Sequence, residues 1–246
     1  MTFLRSVLYL IVFLIWTLGI VTLGLPGLIS RRGAIAVTRF WAHGVAWLAR
    51  ALLNIRFEIR GRENLPDGPC IVAAQHQSAF ETYMLFLLFD YPVFILKHSL
   101  QWIPLVGWYI RRGGLIPINR GAGASAMRRI LRGADKAIAN GETVLIFPEG
   151  TRTALGHHQD YKPGIIALYN HCDAPLVPMA LNTGLIWGKT RIAKLPGSIV
   201  FEFLPPIPAG LKRDAFLAEL RSAIESASHA LPKPDGDSST KSTPKL

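Results

Sequence analysis

The stretch Ile71-Val-Ala-Ala-Gln-His-Gln-Ser-Ala-Phe-Glu81 joins a short apolar run to a histidine, with a carboxylate five positions further on. The spacing restricts the geometry. On a helix, five residues rotate by about 500°, so the two side chains would diverge by roughly 140°. On a strand they would point to opposite faces. His76 and Glu81 meet only if a strand ends before His76, the chain turns, and Glu81 falls in the first turn of a helix. The run therefore predicts a strand–turn–helix unit, the repeating element of an α/β fold. A histidine held by a carboxylate is the arrangement that lets an imidazole take a proton from a hydroxyl. Ser78-Ala-Phe-Glu81 also reads as a capping box, which gives Glu81 a second, structural reading.

Outward from this unit the same alternation continues. Short apolar runs at 56–60, 70–74, 93–97, 114–118, 143–147, 176–182 and 198–204 read as strands. Segments 79–89, 122–140, 163–170 and 213–230 read as helices. Met127, Ile130, Leu131, Ala134 and Ile138 share one helical face, as do Phe216, Leu220, Ile224 and Ala227. The expectation is one α/β domain over 55–231, with a mixed sheet of about seven strands flanked by helices. The polar tail, 232–246, reads as disordered.

Residues 1–54 differ. The run 7–29 is almost uninterrupted in its apolarity and has about the length needed to cross a bilayer core. A secretory signal would have a shorter core and a small-residue cleavage site; here Arg31 and Arg32 follow instead. Segment 34–53 carries Arg39, His43 and Arg50. It reads as an interfacial helix with Phe40, Trp41, Trp47 and Leu48 toward lipid, or as an amphipathic helix packed on the domain. Either way the leader tethers the chain to a membrane. Arg31, Arg32 and Arg39 after the first run put the remainder on the cytoplasmic side. A monotopic hairpin would give the same side.

The formal charge of +11 suits an anionic membrane surface and anionic substrates. Nucleic acid is the usual competitor, and no zinc-finger, RRM or helix-turn-helix pattern supports it. The two cysteines are too few for a disulfide framework or a metal site. The adjacent pair His157-His158 near Asp160 lacks an HExxH or cysteine partner, and no metal is expected there.

The remaining chemistry-bearing residues fall at strand ends, the usual place for sites in open α/β sheets. They are Asn119-Arg120 after Gly114-Leu-Ile-Pro-Ile118, the run Phe147-Pro-Glu-Gly-Thr-Arg152, and Leu176-Val-Pro-Met-Ala180. Together with His76 and Glu81, these blocks resemble the glycerolipid acyltransferase superfamily, in particular the bacterial 1-acyl-glycerol-3-phosphate acyltransferases. The resemblance covers about residues 55–210. Phe147 to Arg152 matches intact. Glu81 stands where the family usually has Asp, Asn119 where it often has Asp, and Pro117 where it often has Phe.

The resemblance implies transfer of a fatty acyl group from acyl-CoA or acyl carrier protein to the sn-2 hydroxyl of lysophosphatidate. No cofactor is implied beyond that co-substrate. His76 would be the general base and Glu81 the residue that fixes its tautomer. Arg120 and Arg152 would hold the phosphate, since a guanidinium grips phosphate oxygens bidentately. Glu149, Gly150 and Thr151 would complete the acceptor site. Lys97 and Arg112 are further basic candidates. Two other readings stay open: acylation of another lyso-lipid, such as a lysophospholipid or lyso-ornithine lipid, and a non-catalytic membrane lipid-binding protein.

Overall fold

In the computed structural model, residues 2–157, 159–188 and 192–234 are described. His158 and most of the tail expected to be disordered, 235–246, lie outside them. Two long helices open the chain, α1 (Thr2–Leu23) and α2 (Arg31–Leu53). Ser30 caps α2, its Oγ accepting the Gly33 N–H at 3.0 Å. Asn54, left-handed at φ 54°, ends α2 and turns the chain into β1 (Ile55–Arg60).

The next elements are β2 (Ile71–Ala74), α3 (Phe80–Leu88), β3 (Pro92–Lys97), α4 (Val106–Arg112) and β4 (Ile116–Ile118). They are followed by α5 (Gly123–Ala139), β5 (Thr143–Ile146), α6 (Pro163–His171), β6 (Leu176–Leu181), α7 (Thr183–Ile186), β7 (Gly197–Phe203) and α8 (Arg213–Ala230). All seven expected strands and all four expected helices of the domain are present. The short helices α4 and α7 were not anticipated; α4 has seven residues and α7 four, too few for periodicity to declare them.

The strands form one mixed sheet in the order β1-β7-β6-β2-β5-β3-β4. Every adjacent pair is parallel except β6–β7. Central strands are covered on both faces, so they are apolar throughout rather than alternating. Side-chain parity then decides which layer each residue joins. Ile71 and Ala73 pack with α5, α6 and α8, whereas Val72 and Ala74 pack with α2 and α3. His76 continues the parity of Val72 and Ala74. Phe147 shares the parity and the layer of Leu145. The strand ends that carry chemistry therefore open toward the leader.

The leader is part of this core. Trp16 donates from Nε1 to the Trp41 carbonyl at 3.0 Å, and Trp41 donates from Nε1 to Thr17 Oγ1 at 3.0 Å. Gly44 makes the approach possible, because a Cβ there would meet the Trp16 ring at 2.2 Å. Tyr9 packs edge-on against Trp187, and Phe13 stacks on Tyr83. Arg31 grips the buried Glu142 carboxylate with both terminal nitrogens and the Gly113 carbonyl with Nε. One part of the expected lipid face needs correction. Phe40 and Trp47 are exposed, but Trp41 packs on Phe13 and Tyr83 and Leu48 is buried in the core. Both side chains belong to the apolar cluster that also holds Tyr83 and Met84 of α3, so burial against the domain takes the place expected for lipid. Helix α1 is long and apolar enough to cross a membrane.

Candidate active site

The turn Gln75–Ala79 and the start of α3 are where the His–Glu spacing requires them. The His76 Nδ1 lies 2.8 Å from Glu81 Oε1. That oxygen also accepts the backbone N–H groups of Gln77 at 2.9 Å and Ser78 at 2.7 Å. Glu81 Oε2 accepts the hydroxyls of Ser78 and Thr183. Five hydrogen bonds thus converge on a carboxylate that is 0% exposed, which is how a buried charge is tolerated. An acceptor-only carboxylate beside Nδ1 fixes the proton there and leaves Nε2 with the lone pair. The ring lies flat on Phe147, with centroids 4.3 Å apart.

Half of the capping box is also made, the Glu81 side chain reaching back to the Ser78 N–H. Helix α3 begins one residue later than the box implies, with Ala79 at the N-cap position. Even so, Ser78 N–H reaches Glu81, and the Ser78 hydroxyl accepts the Phe80 N–H at 3.0 Å. The structural and chemical readings of Glu81 are therefore not alternatives, since one carboxylate meets both geometries.

Strand register explains what surrounds the pair. β2 and β5 pair Ala73 with Ile146; three residues further on, His76 lies beside Glu149. The His76 N–H points at Glu149 Oε2 at 3.4 Å, and the Thr153 N–H donates to the His76 carbonyl at 2.6 Å. On the other side β2 pairs Ala74 with Met179, and the end of β6 delivers Thr183 to Glu81. Gln77 ties the same end down, donating to the Leu181 carbonyl at 2.8 Å and accepting the Gly184 N–H at 2.9 Å. Glu149 is 2% exposed, and burial pushes its carboxyl up to about 7.

The glycine of the Phe-Pro-Glu-Gly-Thr-Arg run is in the left-handed region, at φ 67°. A Cβ on Gly150 would come 3.3 Å from Lys162 Cγ and 3.8 Å from Arg120 Nε. So the ends of β4 and β5 bring Arg120, Gly150 and Lys162 together. Asn119 holds its part of this loop by accepting the Gly121 N–H on Oδ1 at 3.2 Å, an Asx turn. Arg152 lies within electrostatic reach of Tyr83 and Lys194: burial raises the Tyr83 hydroxyl against a smaller opposing effect of Arg152, and burial, then Arg152, lowers the Lys194 ammonium.

Part of this constellation borders one cavity of about 1470 Å³. His76, Arg120, Gly150, Thr151, Arg152 and Lys162 line one part. The rest is apolar, walled by α1, α2, α3, α4 and the segment before α4, with Phe13, Ile35, Tyr83, Phe86, Ile103 and Tyr109 among its residues. Lys97 lines the cavity, but Arg112 does not; its guanidinium bonds the Ile29 carbonyl of the leader.

Three residues at the site had not been singled out. Thr183 and Lys162 are legible once the strands are set in register, as the residues just past β6 and just before α6. Phe147 was visible in its motif, but nothing in the sequence indicated a ring stacked on the imidazole. Among the described residues no cluster of three or more His, Cys, Asp or Glu side chains is placed to hold a metal.

The chain matches the Acyltransferase family over residues 56–182. It is 34% identical to a 1-acyl-sn-glycerol-3-phosphate acyltransferase of Pseudomonas aeruginosa, over 77% of this chain and 74% of that protein. A mouse protein, 1-acyl-sn-glycerol-3-phosphate acyltransferase alpha, is 29% identical over 65% of this chain and 57% of its own length. The crystal structure of PlsC, the 1-acyl-sn-glycerophosphate acyltransferase of Thermotoga maritima, superposes with a TM-score of 0.76. It covers 94% of this chain and 97% of PlsC at 23% identity, a likeness of fold.

Proposed function

The chain belongs to the acyltransferase family, and on that premise we propose that it acylates the sn-2 hydroxyl of 1-acyl-glycerol-3-phosphate to give phosphatidate. The observation that carries this reading is the His76–Glu81 pair opening onto a cavity with cations at one part and apolar walls elsewhere. A phosphate suits the first part and acyl chains the second.

In the proposed step His76 Nε2 takes the proton of the acceptor hydroxyl as its oxygen attacks the thioester carbonyl of acyl-CoA or acyl carrier protein. The tetrahedral adduct collapses, the carbon–sulfur bond breaks, and the thiolate leaves with the proton from the imidazolium. Glu81 stabilises the imidazolium, as the acid does in a Ser-His-Asp triad. The substrate hydroxyl takes the place of an enzyme nucleophile, so no acyl-enzyme forms. Arg120 and Arg152, both on the cavity lining, hold the phosphate, with Lys162 as a third cation and the Gly150 backbone free to approach.

The apolar leader associates with the membrane. Its contacts run along α1, from Ser6, which accepts the Lys194 N–H at 2.8 Å, to Val21, whose carbonyl accepts Tyr109 OH at 3.1 Å. They favour a hairpin seated in the membrane beside the domain. The arginines that follow α1 favour the cytoplasmic face of a bacterial inner membrane.

The test is purified full-length protein with labelled acyl-CoA and a panel of lyso-lipids. Labelled phosphatidate is expected, and His76→Ala should lower its formation by about 10²–10⁴. Transfer to every acceptor except lysophosphatidate would refute the substrate assignment.

A further inference from the structure

The segment between β3 and β4 is shaped in a way that neither the leader nor the catalytic residues account for. A 3₁₀ turn, His98–Trp102, leads through Ile103, Pro104 and Leu105 into α4. Its outer surface is apolar and uncovered: Trp102 is 70% exposed, Trp108 47% and Ile103 44%. Single exposed apolar residues are ordinary, but two tryptophans and an isoleucine within seven residues are not. The inner surface of the same segment lines the cavity through Leu100, Ile103, Val106 and Tyr109. One layer of residues therefore separates the outside of the protein from the proposed acyl site.

We propose that 98–112 is a second membrane-entry element, which seats Trp102, Ile103 and Trp108 in the interfacial layer of an anionic bilayer beside the leader.

Three observations commit the surface to lipid. The first is continuity. Tyr109 OH bonds the Val21 carbonyl and Arg112 bonds the Ile29 carbonyl, so α4 is fastened to the turn of the leader hairpin. Leu23 and Ile29 of that turn are themselves 80% exposed. The apolar surface of the leader thus continues onto α4.

The second is charge. No acidic residue occurs between Asp90 and Asp135, while that interval holds seven lysines and arginines. Lys97, Arg111 and Arg112 flank the tryptophans and are exposed. Amphipathic rings flanked by cations are the composition that settles at the headgroup level of an anionic leaflet. A soluble protein partner would have no reason to require this single-sign border.

The third is backbone strain. Leu105 has φ 62° and ψ −57°, and the Val106 N–H bonds the Pro104 carbonyl at 2.7 Å. This is a three-residue turn that a branched side chain rarely adopts. Around it Trp102 stays outside the cavity and exposed, Ile103 is half-exposed at the cavity's edge, and Val106 and Tyr109 line the wall. Lipid acceptors then enter the cavity sideways from the bilayer, past this segment.

The proposal borrows only the membrane association of the leader, and its first test needs no turnover. An environment-sensitive fluorophore is placed on Trp102→Cys of the full chain, and on Glu219→Cys of α8 as a control on the opposite layer. Cys70 is buried and the Cys172 thiol is pushed up to about 11 by burial, so both native thiols react slowly. The proteins are reconstituted in vesicles of phosphatidylethanolamine with a minority of phosphatidylglycerol, and in vesicles of phosphatidylcholine alone. At position 102 the emission shifts to the blue and is quenched by lipid-borne quenchers, more strongly in the anionic vesicles. At 219 it is not. A label at 102 that behaves like the one at 219 overturns the proposal.

The second test is the Trp102→Ser/Trp108→Ser pair. Neither side chain lines the cavity, and unchanged thermal unfolding confirms folding. Burying one large apolar side chain is worth roughly tenfold in an equilibrium. The double variant should acylate vesicle-embedded lysophosphatidate about tenfold more slowly, yet match the native rate within about twofold when the acceptor is given in detergent micelles. Equal rates in both presentations would contradict lateral entry.

Discussion

Replacing Glu81 by glutamine separates the two jobs this carboxylate performs. Its Oε1 takes three N–H donors, from His76, Gln77 and Ser78, and its Oε2 takes the hydroxyls of Ser78 and Thr183. A glutamine oxygen can replace Oε1 without changing any donor, so the cap and the His76 tautomer persist. Its NH₂ group then faces two hydroxyls. Each has lone pairs and can turn from donor to acceptor. The structural cost is therefore about 1–2 kcal/mol. Alanine would be a poor probe, because it strands two buried backbone N–H groups and two hydroxyls at about 1–3 kcal/mol each. What glutamine removes is the charge. A carboxylate roughly 4 Å from the centre of an imidazolium contributes up to about 4 kcal/mol at an effective dielectric constant near 20. A transition state in which the proton is only partly transferred receives part of that. Glu81→Gln should lower kcat by roughly 30- to 1000-fold, or about 2–4 kcal/mol. KM for lysophosphatidate should stay within about threefold, since the proposed phosphate contacts are untouched. The assay is initial-rate acyl transfer with labelled acyl-CoA, beside denaturant unfolding. A variant that is folded and turns over within about threefold of the native rate would refute the reasoning.

Thr183→Val removes one donor to Glu81 Oε2 without changing side-chain size, and should lower kcat about tenfold; Thr183→Ser should restore most of it in the same assay. Glu149 predicts a pH dependence of stability. Its folded carboxyl titrates near 7 against about 4.5 when unfolded, so the stability it contributes is complete below about pH 4.5 and is lost as pH rises through about 7. The difference is about 3 kcal/mol. Urea unfolding at pH 5 and pH 8 should show that the gap between native protein and Glu149→Gln shifts by most of that, about 2–3 kcal/mol, toward the variant at high pH. Arg31→Ala breaks the clip between α2 and Glu142, leaving a carboxylate with little solvent access. The pair is one-third exposed on the Arg31 side, so the loss should be about 1–3 kcal/mol rather than the larger value of a fully buried pair, read from the same unfolding curves.

The sequence was most legible where burial is two-sided. Continuous apolar runs such as Ile71–Ala74 and Leu176–Leu181 can only be central strands in a chain that alternates with amphipathic helices, and the sheet contains them as such. The His76–Glu81 geometry was legible because a spacing of five fits neither a helix nor a strand. Arg120 and Arg152 could be placed at strand ends, but not on the lining of one cavity. That depends on the order β2-β5-β3-β4, which a sequence does not state. Thr183 was hidden for the same reason, because it reaches Glu81 only through the β2–β6 register. The inward face of Trp41 was misread, since composition alone cannot distinguish lipid from the aromatic side chains of Phe13 and Tyr83.

The central claim is direct transfer from thioester to lipid hydroxyl with His76 as base. It is tested most directly by mixing the full-length protein with radiolabelled acyl-CoA, first alone and then with lysophosphatidate. The account predicts no label on the protein in either mixture, and phosphatidate formed with equimolar release of free thiol only in the second. His76→Ala should lower both products together by about 10²–10⁴. Label covalently bound to the protein in the absence of acceptor, or undiminished transfer by His76→Ala, would contradict it.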